Sequence, residues 1–190
     1  NIFNFCINNK LPLVYASSSA VYGDLELGND QKSSVDLLTP YSVDKYVMEL
    51  YSEVLFKLKD LSSIGLRFFN VYGPRQDPSS PYSGVISIFS DRMLEGREIV
   101  INGGHQTRDF VYVKDVVNTI SQAIILASGN TVCEVSNVLT GRSITIDYLA
   151  DRMMDIVEVE VDKKYKNLSS GDPEHSGGTV GNMVRLFSTK

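Results

Sequence analysis

Tyr41 and Lys45 are four residues apart, and a phenol one helical turn from an ammonium is a chemically useful pair. On a helix, residues i and i+4 share a face. A phenol ordinarily titrates near 10. A positive charge roughly 5 Å away, at an effective dielectric of about 20, favours the phenolate by about 3 kcal/mol. A tyrosine so placed can take a proton from a hydroxyl group near neutral pH. Ser18 is a candidate to hydrogen-bond the same hydroxyl and shuttle its proton. Alone, Tyr-x-x-x-Lys also describes a surface pair, or a core tyrosine beside a snorkelling lysine. The elements around it decide between these readings.

Thr39 suits an N-cap and Pro40 the first helical position, where no N–H is needed. The spacing of Tyr46, Val47, Leu50, Tyr51, Val54, Leu55 and Leu58 predicts a helix to about Lys59, with an apolar stripe wide enough for a sheet and a second subunit. Leu11–Ala16 reads as a buried parallel strand. It ends in Ser17-Ser18-Ser19, small hydroxyl residues where open α/β sheets bind ligands. Residues 24–38 read as a surface loop. Ser63–Phe69 is the next strand, breaking at the turn-rich Asn70–Arg75. A helix is expected over 84–95, stopped by Gly96. A short strand, 98–101, ends at Asn102-Gly103-Gly104, a tight turn rather than a phosphate loop. Residues 109–113 are extended, and Asp115 is expected to cap a helix from Val116 to about Ala127. Strand 131–138, a helix near 145–157 and a strand over 159–165 follow; the tail from Asn167 is weakly specified. The alternation predicts an α/β fold with a mainly parallel sheet. The insertion near 74–104 predicts a smaller lobe over the strand ends.

The 190 residues, 43% hydrophobic and 22% charged, suffice for one domain with a sizeable core. A net charge of −5 without a dense Lys/Arg run argues against nucleic-acid and membrane-surface partners. Cys6 and Cys133 fit no metal spacing; one disulfide is the alternative to the favoured reading, two buried thiols in a reducing, cytoplasmic setting. No apolar run is long enough to span a bilayer. His105 and His175 read as solvated, and Arg67 as the partner of a buried acid. Tyr82 and Arg92 are weaker candidates to reach a ligand. The first residues read as the back half of a helix, with no initiator Met, so upstream sequence is expected.

If the carbon bearing the deprotonated hydroxyl is oxidised, its hydride needs an acceptor, and no side chain can be one. A nicotinamide cofactor is then implied. Four ordered stretches carry a resemblance. They are Val14–Gly23 (VYASSSAVYG), Pro40–Lys45 (PYSVDK), Leu66–Arg75 (LRFFNVYGPR) and Gln106–Val116 (QTRDFVYVKDV). Together they resemble the extended short-chain dehydrogenase/reductase family, and within it the nucleotide-sugar epimerases and dehydratases. The likeness covers residues 1–145 well and the tail poorly. It implies a Rossmann-like fold, with the second part of the dinucleotide-binding domain in 1–73 and 108–140. The smaller α/β substrate-binding lobe is then 74–107 and 141–190.

The resemblance also implies roles. Ser18, Tyr41 and Lys45 are the catalytic residues, Tyr41 as base. Ala16, Ser17, Tyr41, Lys45 and Phe68 contact the cofactor, NAD rather than NADP because the reaction recycles it. Ser18, Ser19, Tyr41, Asn70, Gly84, Val85, Asn102, Arg108 and Asp172 contact a nucleotide-diphosphate sugar, expected to be UDP-linked. A homodimer through the helix 41–59 is implied as well. Ser19 and Ala20 stand where related dehydratases carry an Asp-Glu pair, which favours 4-epimerisation. A dehydratase, a keto-sugar reductase and a catalytically silent fragment are the alternatives. The sequence departs from the family pattern in three places. The Gly-x-x-Gly-x-x-Gly loop and the acidic residue that reads the adenosine ribose are absent. Ser169, before Ser170-Gly171-Asp172, stands where a substrate-binding Arg belongs. Asn102 stands where an aromatic often meets the base.

Overall fold

The computed structural model describes residues 2–32, 34–80, 82–169 and 171–187. Asn1, Ser170 and 188–190, which the sequence reading included, lie outside them. In chain order the elements are α1 (Ile2–Asn9), β1 (Leu13–Ser18), a one-turn 3-10 helix (Ser19–Tyr22), α2 (Pro40–Lys59), β2 (Ser63–Phe68) and β3 (Asn70–Tyr72). Then come α3 (Val85–Leu94), β4 (Ile99–Asn102), β5 (Thr107–Tyr112), α4 (Val113–Gly129), β6 (Cys133–Val138) and β7 (Ser143–Thr145). Last are α5 (Ile146–Val157), β8 (Lys163–Lys166), β9 (His175–Ser176) and α6 (Gly181–Phe187).

The main sheet runs β1-β2-β6, all parallel, with β1 at one end. Helical crossovers join its strands, as parallel pairing requires. Side chains alternate between its faces. Leu13 and Tyr15 join Cys6 and Leu61 beneath α1 and α2, with Phe3, Met48 and Leu55 packed against them. Val14, Ile64 and Leu66 pack instead with Val116, Ala123 and Ala127 of α4 and Phe187 of α6. The faces therefore take different helices. A second apolar cluster, Phe89 and Met93 of α3, Ile99 and Ile101 of β4, and Ile146, Leu149 and Ala150 of α5, builds the region that leaves the strand–helix alternation.

The α2 boundaries follow from local chemistry. The Thr39 side chain accepts from the Ser42 amide, and the Ser42 side chain accepts from the Thr39 amide, a reciprocal capping box closed by Ser where Glu or Gln is usual. Asp60 ends the helix in the left-handed region.

Several expectations change. Asn70–Tyr72 is not a turn but a short strand, because β5 supplies a parallel partner. Asp115 is not the cap: the chain passes from β5 directly into α4 at Val113, leaving Asp115 in the first turn, where a carboxylate meets the positive helix end. The strand expected over 159–165 is confined to β8, beside β4. The tail is ordered by contacts far away in sequence: β9 lies along β5, and Met183, Leu186 and Phe187 pack on the α4 core. Residues 181–187, grouped with the smaller lobe on sequence, thus sit against the main sheet. Both thiols are free, and Cys133 is half-buried rather than buried.

Candidate active site

Three successive residues of β1 set up the acid/base group. The Ala16 carbonyl accepts from Lys45 Nζ at 3.0 Å. Ser17 turns its hydroxyl inward to Glu49 at 2.5 Å and is 3% exposed. Ser18 caps the 3-10 helix, its Oγ accepting from the Ala20 amide at 3.2 Å. That bond leaves the Ser18 hydroxyl proton to be donated elsewhere. Ser19 opens the same 3-10 turn, half-buried. Tyr41, in the first turn of α2, is 54% exposed, and Lys45 Nζ lies 5.6 Å from its ring centroid. The pair read from spacing is therefore formed, and it faces outward from the end of β1.

Phe68 pairs in register with Ser18. Its half-buried ring packs on the α4 core. Two residues further, Asn70 donates from Nδ2 to the Asp109 carbonyl at 2.9 Å and lines a cavity of about 470 Å³. Gly84, Val85, Asn102, Arg108 and Asp172 line the same cavity. The structure thus brings six residues, named on sequence from five separate segments, into one concavity.

The lining has a consistent chemistry. Gly84 begins α3 without a side-chain cap, so first-turn amides of that helix are free to meet an anion. Arg108, with its side chain 9% exposed, donates from Nη1 to the Thr107 carbonyl at 2.8 Å and from Nη2 to Asp172 Oδ1 at 2.6 Å. Its planar fork suits a diphosphate. Phe89, Ile101 and Phe110 supply an apolar wall.

Several lining residues carried no sequence signal. Gln106 reaches back to its own turn: its Oε1 accepts from the Gly104 amide at 2.5 Å and its Nε2 donates to the Asn102 carbonyl. Gly103, at φ +80, would place a Cβ 2.6 Å from that Gln106 Oε1, so the turn requires glycine there. Gln76 also lines the cavity. Tyr82, a weaker candidate, stands at the cavity 94% exposed. Arg92 is absent from the lining and donates to the Glu98 carbonyl at 3.1 Å.

The buried acid expected for Arg67 is Glu49. Arg67 Nε and Nη2 donate to its two oxygens at 2.9 and 2.6 Å. Burial works against the Arg67 charge, but its bonds to Glu49 and its contact with Tyr22 raise its pKa on balance. The α2 spacing carried a signal for this: Tyr41, Lys45 and Glu49 fall at i, i+4 and i+8 on one face.

A nicotinamide group fits these residues. Lys45 spends one N–H on Ala16 and keeps two donors. Tyr41 is exposed beside it, and Ser18 retains its proton.

Ser18, Ser19, Tyr41 and Lys45 do not line the cavity; the link between them and it is β2, whose Phe68 is the register partner of Ser18 and lies two residues before the cavity-lining Asn70. A parallel sheet with polar residues at a strand end is the arrangement of ligand-binding α/β proteins. The chain belongs to the NAD dependent epimerase/dehydratase family, which matches residues 1–135. A Methanocaldococcus jannaschii protein, provisionally named a UDP-glucose 4-epimerase, is 42% identical over 142 residues, 73% of this chain and 45% of that protein. The chain spans about half the length of the curated relatives it matches. Among solved structures, the UDP-N-acetylglucosamine 4-epimerase from Methanobrevibacter ruminantium M1, in complex with UDP-N-acetylmuramic acid, is 36% identical with a TM-score of 0.90. The match covers all of this chain and 60% of that one. The UDP-glucose 4-epimerase of Thermotoga maritima, with UDP-glucose, is 29% identical with a TM-score of 0.89, covering all of this chain and 61% of that one.

Proposed function

We propose that this chain carries the acid/base group and the substrate cavity of an NAD-dependent 4-epimerase acting on a UDP-linked hexose or N-acetylhexosamine. The observation that carries this reading is the pairing of Tyr41, Lys45 and Ser18 at the end of β1 with a cavity lined by Asn70, Arg108 and the start of α3. Tyr41 acts as the base that removes the proton of the sugar 4-hydroxyl, and Ser18 hydrogen-bonds that oxygen and relays the proton. A nicotinamide held there would supply the hydride acceptor, and the hydride donor for re-reduction, that no side chain can be. Tyr41 then gives the proton back, so the reaction balances without net oxidation. Lys45 and Tyr41, with Phe68 and the β1 end at Ala16 and Ser17, are the groups that hold the nicotinamide half. Arg108 and the α3 N-terminus hold the diphosphate, Asn70 orients it, and Asn102 and Asp172 flank the nucleoside. Arg108 is already paired with Asp172, so a diphosphate exchanges one anionic partner for another.

Ser19 and Ala20, directly after Ser18, offer no carboxylate for water elimination, which favours epimerisation over dehydration. Val43, Val47, Leu50, Tyr51, Val54 and Leu58 are exposed along α2, a surface that supports a homodimer through this helix. The two free thiols fit a cytoplasmic location. Among the described residues no helix is long and apolar enough to cross a membrane.

The test is to incubate the full-length protein with NAD and UDP-galactose or UDP-N-acetylgalactosamine. Interconversion with the gluco epimers is expected; a 4-keto-6-deoxy sugar in their place selects a dehydratase. Tyr41→Phe is expected to lower turnover at least about 100-fold, and retained turnover rejects it as the base. Calorimetric titration of the 190-residue chain with NAD decides whether this stretch binds cofactor alone.

A further inference from the structure

None of these steps uses the polar network beneath α2. Glu49 is 6% and Arg67 4% exposed. Glu49 accepts from Ser17 at 2.5 Å and from Arg67 at 2.9 and 2.6 Å. Arg67 Nη1 donates to the Tyr22 hydroxyl at 2.8 Å, and its guanidinium carbon lies 4.9 Å from the Tyr22 ring centroid. Tyr22 donates onward to Asn137 Oδ1 at 2.7 Å. Asn137 Nδ2 donates to the Gly28 and Thr179 carbonyls. Ser17, Arg67 and Asn137 are register partners across β1, β2 and β6. The network is therefore a rung across the sheet, one residue below Ser18.

We propose that Glu49 and Arg67 are positioning residues for the acid/base group. Glu49 follows Lys45 by one helical turn on the same face of α2. Lys45 is fixed to Ala16 and Glu49 to Ser17, so α2 is pinned to adjacent residues of β1 at two points. That fixes the helix in both rotation and height, and hence Tyr41 against Ser18. Arg67 completes the arrangement. Ser18 caps a turn that ends at Tyr22. Glu49 holds the residue before that turn and Arg67 holds its last residue, so both ends of the Ser18 turn are tied to one buried ion pair. Replacing a buried pair with apolar residues often leaves stability intact, whereas breaking one partner does not. A pair kept for position rather than stability is therefore separable by mutation.

The kinetic arm of the test rests on the epimerase reading; the exchange arm does not. Glu49→Gln, and the double apolar variant Glu49→Met with Arg67→Met, are compared with wild type. In the full-length protein the double variant is expected to unfold within a few degrees of wild type. Its kcat is expected to fall about 100-fold, since small misplacements of reacting groups cost this much, with KM for the nucleotide sugar within about twofold. Recovery of kcat together with thermal stability would overturn the proposal. By amide hydrogen exchange on the 190-residue chain, Glu49→Gln is expected to raise exchange at Ala20, Gly23 and the first turn of α2 at least about tenfold more than at Ile64 and Leu66. Equal acceleration at both sets assigns the pair a purely structural role and rejects the proposal. If wild type turns over no nucleotide sugar, the epimerase reading fails and the exchange arm alone decides.

Discussion

The two faces of the β1-β2-β6 sheet share an apolar base but differ in how much buried charge they hold. Toward α4 and α6 the sheet presents chiefly Val14, Ile64, Leu66 and Val138, with Ser136 buried among them and Glu134 paired to Arg185 of α6 at the margin. Toward α2, the apolar Leu13 and Tyr15 meet Met48 and Leu55, and beside them Ser17, Ser63 and Arg67 are answered by Ser52 and Glu49 of the helix. Apolar contacts are non-directional and tolerate small slides. Hydrogen-bonded charges accept one geometry. The face toward α4 supplies burial, and the buried ion pair on the face under α2 supplies placement. Helix α2 accordingly leaves much of its apolar stripe outside while burying Ser42, Glu49 and Ser52.

This contrast can be broken from either side. The largest effect is expected on the apolar face: Leu66→Ala removes a side chain 0% exposed and should cost about 2–5 kcal/mol in denaturant unfolding. Any activity of the folded fraction should remain near wild type.

A middle-sized effect belongs to the polar face at alkaline pH. Burial pushes the Tyr22 phenol up to about 12, with Arg67 opposing; burial also raises Tyr15. A phenol that titrates higher in the fold than in the unfolded chain contributes stability that is whole below about 10 and is lost as pH rises through about 12. Unfolding followed between pH 9 and 12 should show that decline, and Tyr22→Phe should flatten it.

The smallest effect is at the helix start. Thr39→Ala loses the acceptor for the Ser42 amide and should cost about 1 kcal/mol. Because that turn carries Tyr41, turnover is expected to suffer more than unfolding does.

What was legible in the sequence was what local chemistry dictates. Thr39, Pro40 and the stripe to Leu58 are a complete helix specification within twenty residues, and α2 follows it. The hydroxyl run at Ser17–Ser19 marked a strand end for the same reason. Asn70, Gly84, Arg108 and Asp172 were reached only through their resemblance to family motifs; no spacing links residues so far apart. Gln76 and Gln106 escaped because a lining residue is defined by how loops close, not by its neighbours in sequence. The Arg67 partner was expected as a type; the one signal for Glu49 was its place one turn after Lys45 on α2, which does not by itself tell a buried glutamate from a solvated one. The docking of α6 and the pairing of β3 depend on β5 and α4, elements that no nearby residue names.

Strand β1 has one further consequence. Among the described residues it pairs only with β2, and its outward edge is an uncharged six-residue run, LVYASS. Main-chain donors and acceptors along such an edge form a template for another strand. A strand laid along that edge would border Ala16, Ser17 and Ser18, the β1 residues that hold Lys45, Glu49 and the 3-10 turn. Whatever pairs with β1 therefore touches the strand that ends in Ser18 itself.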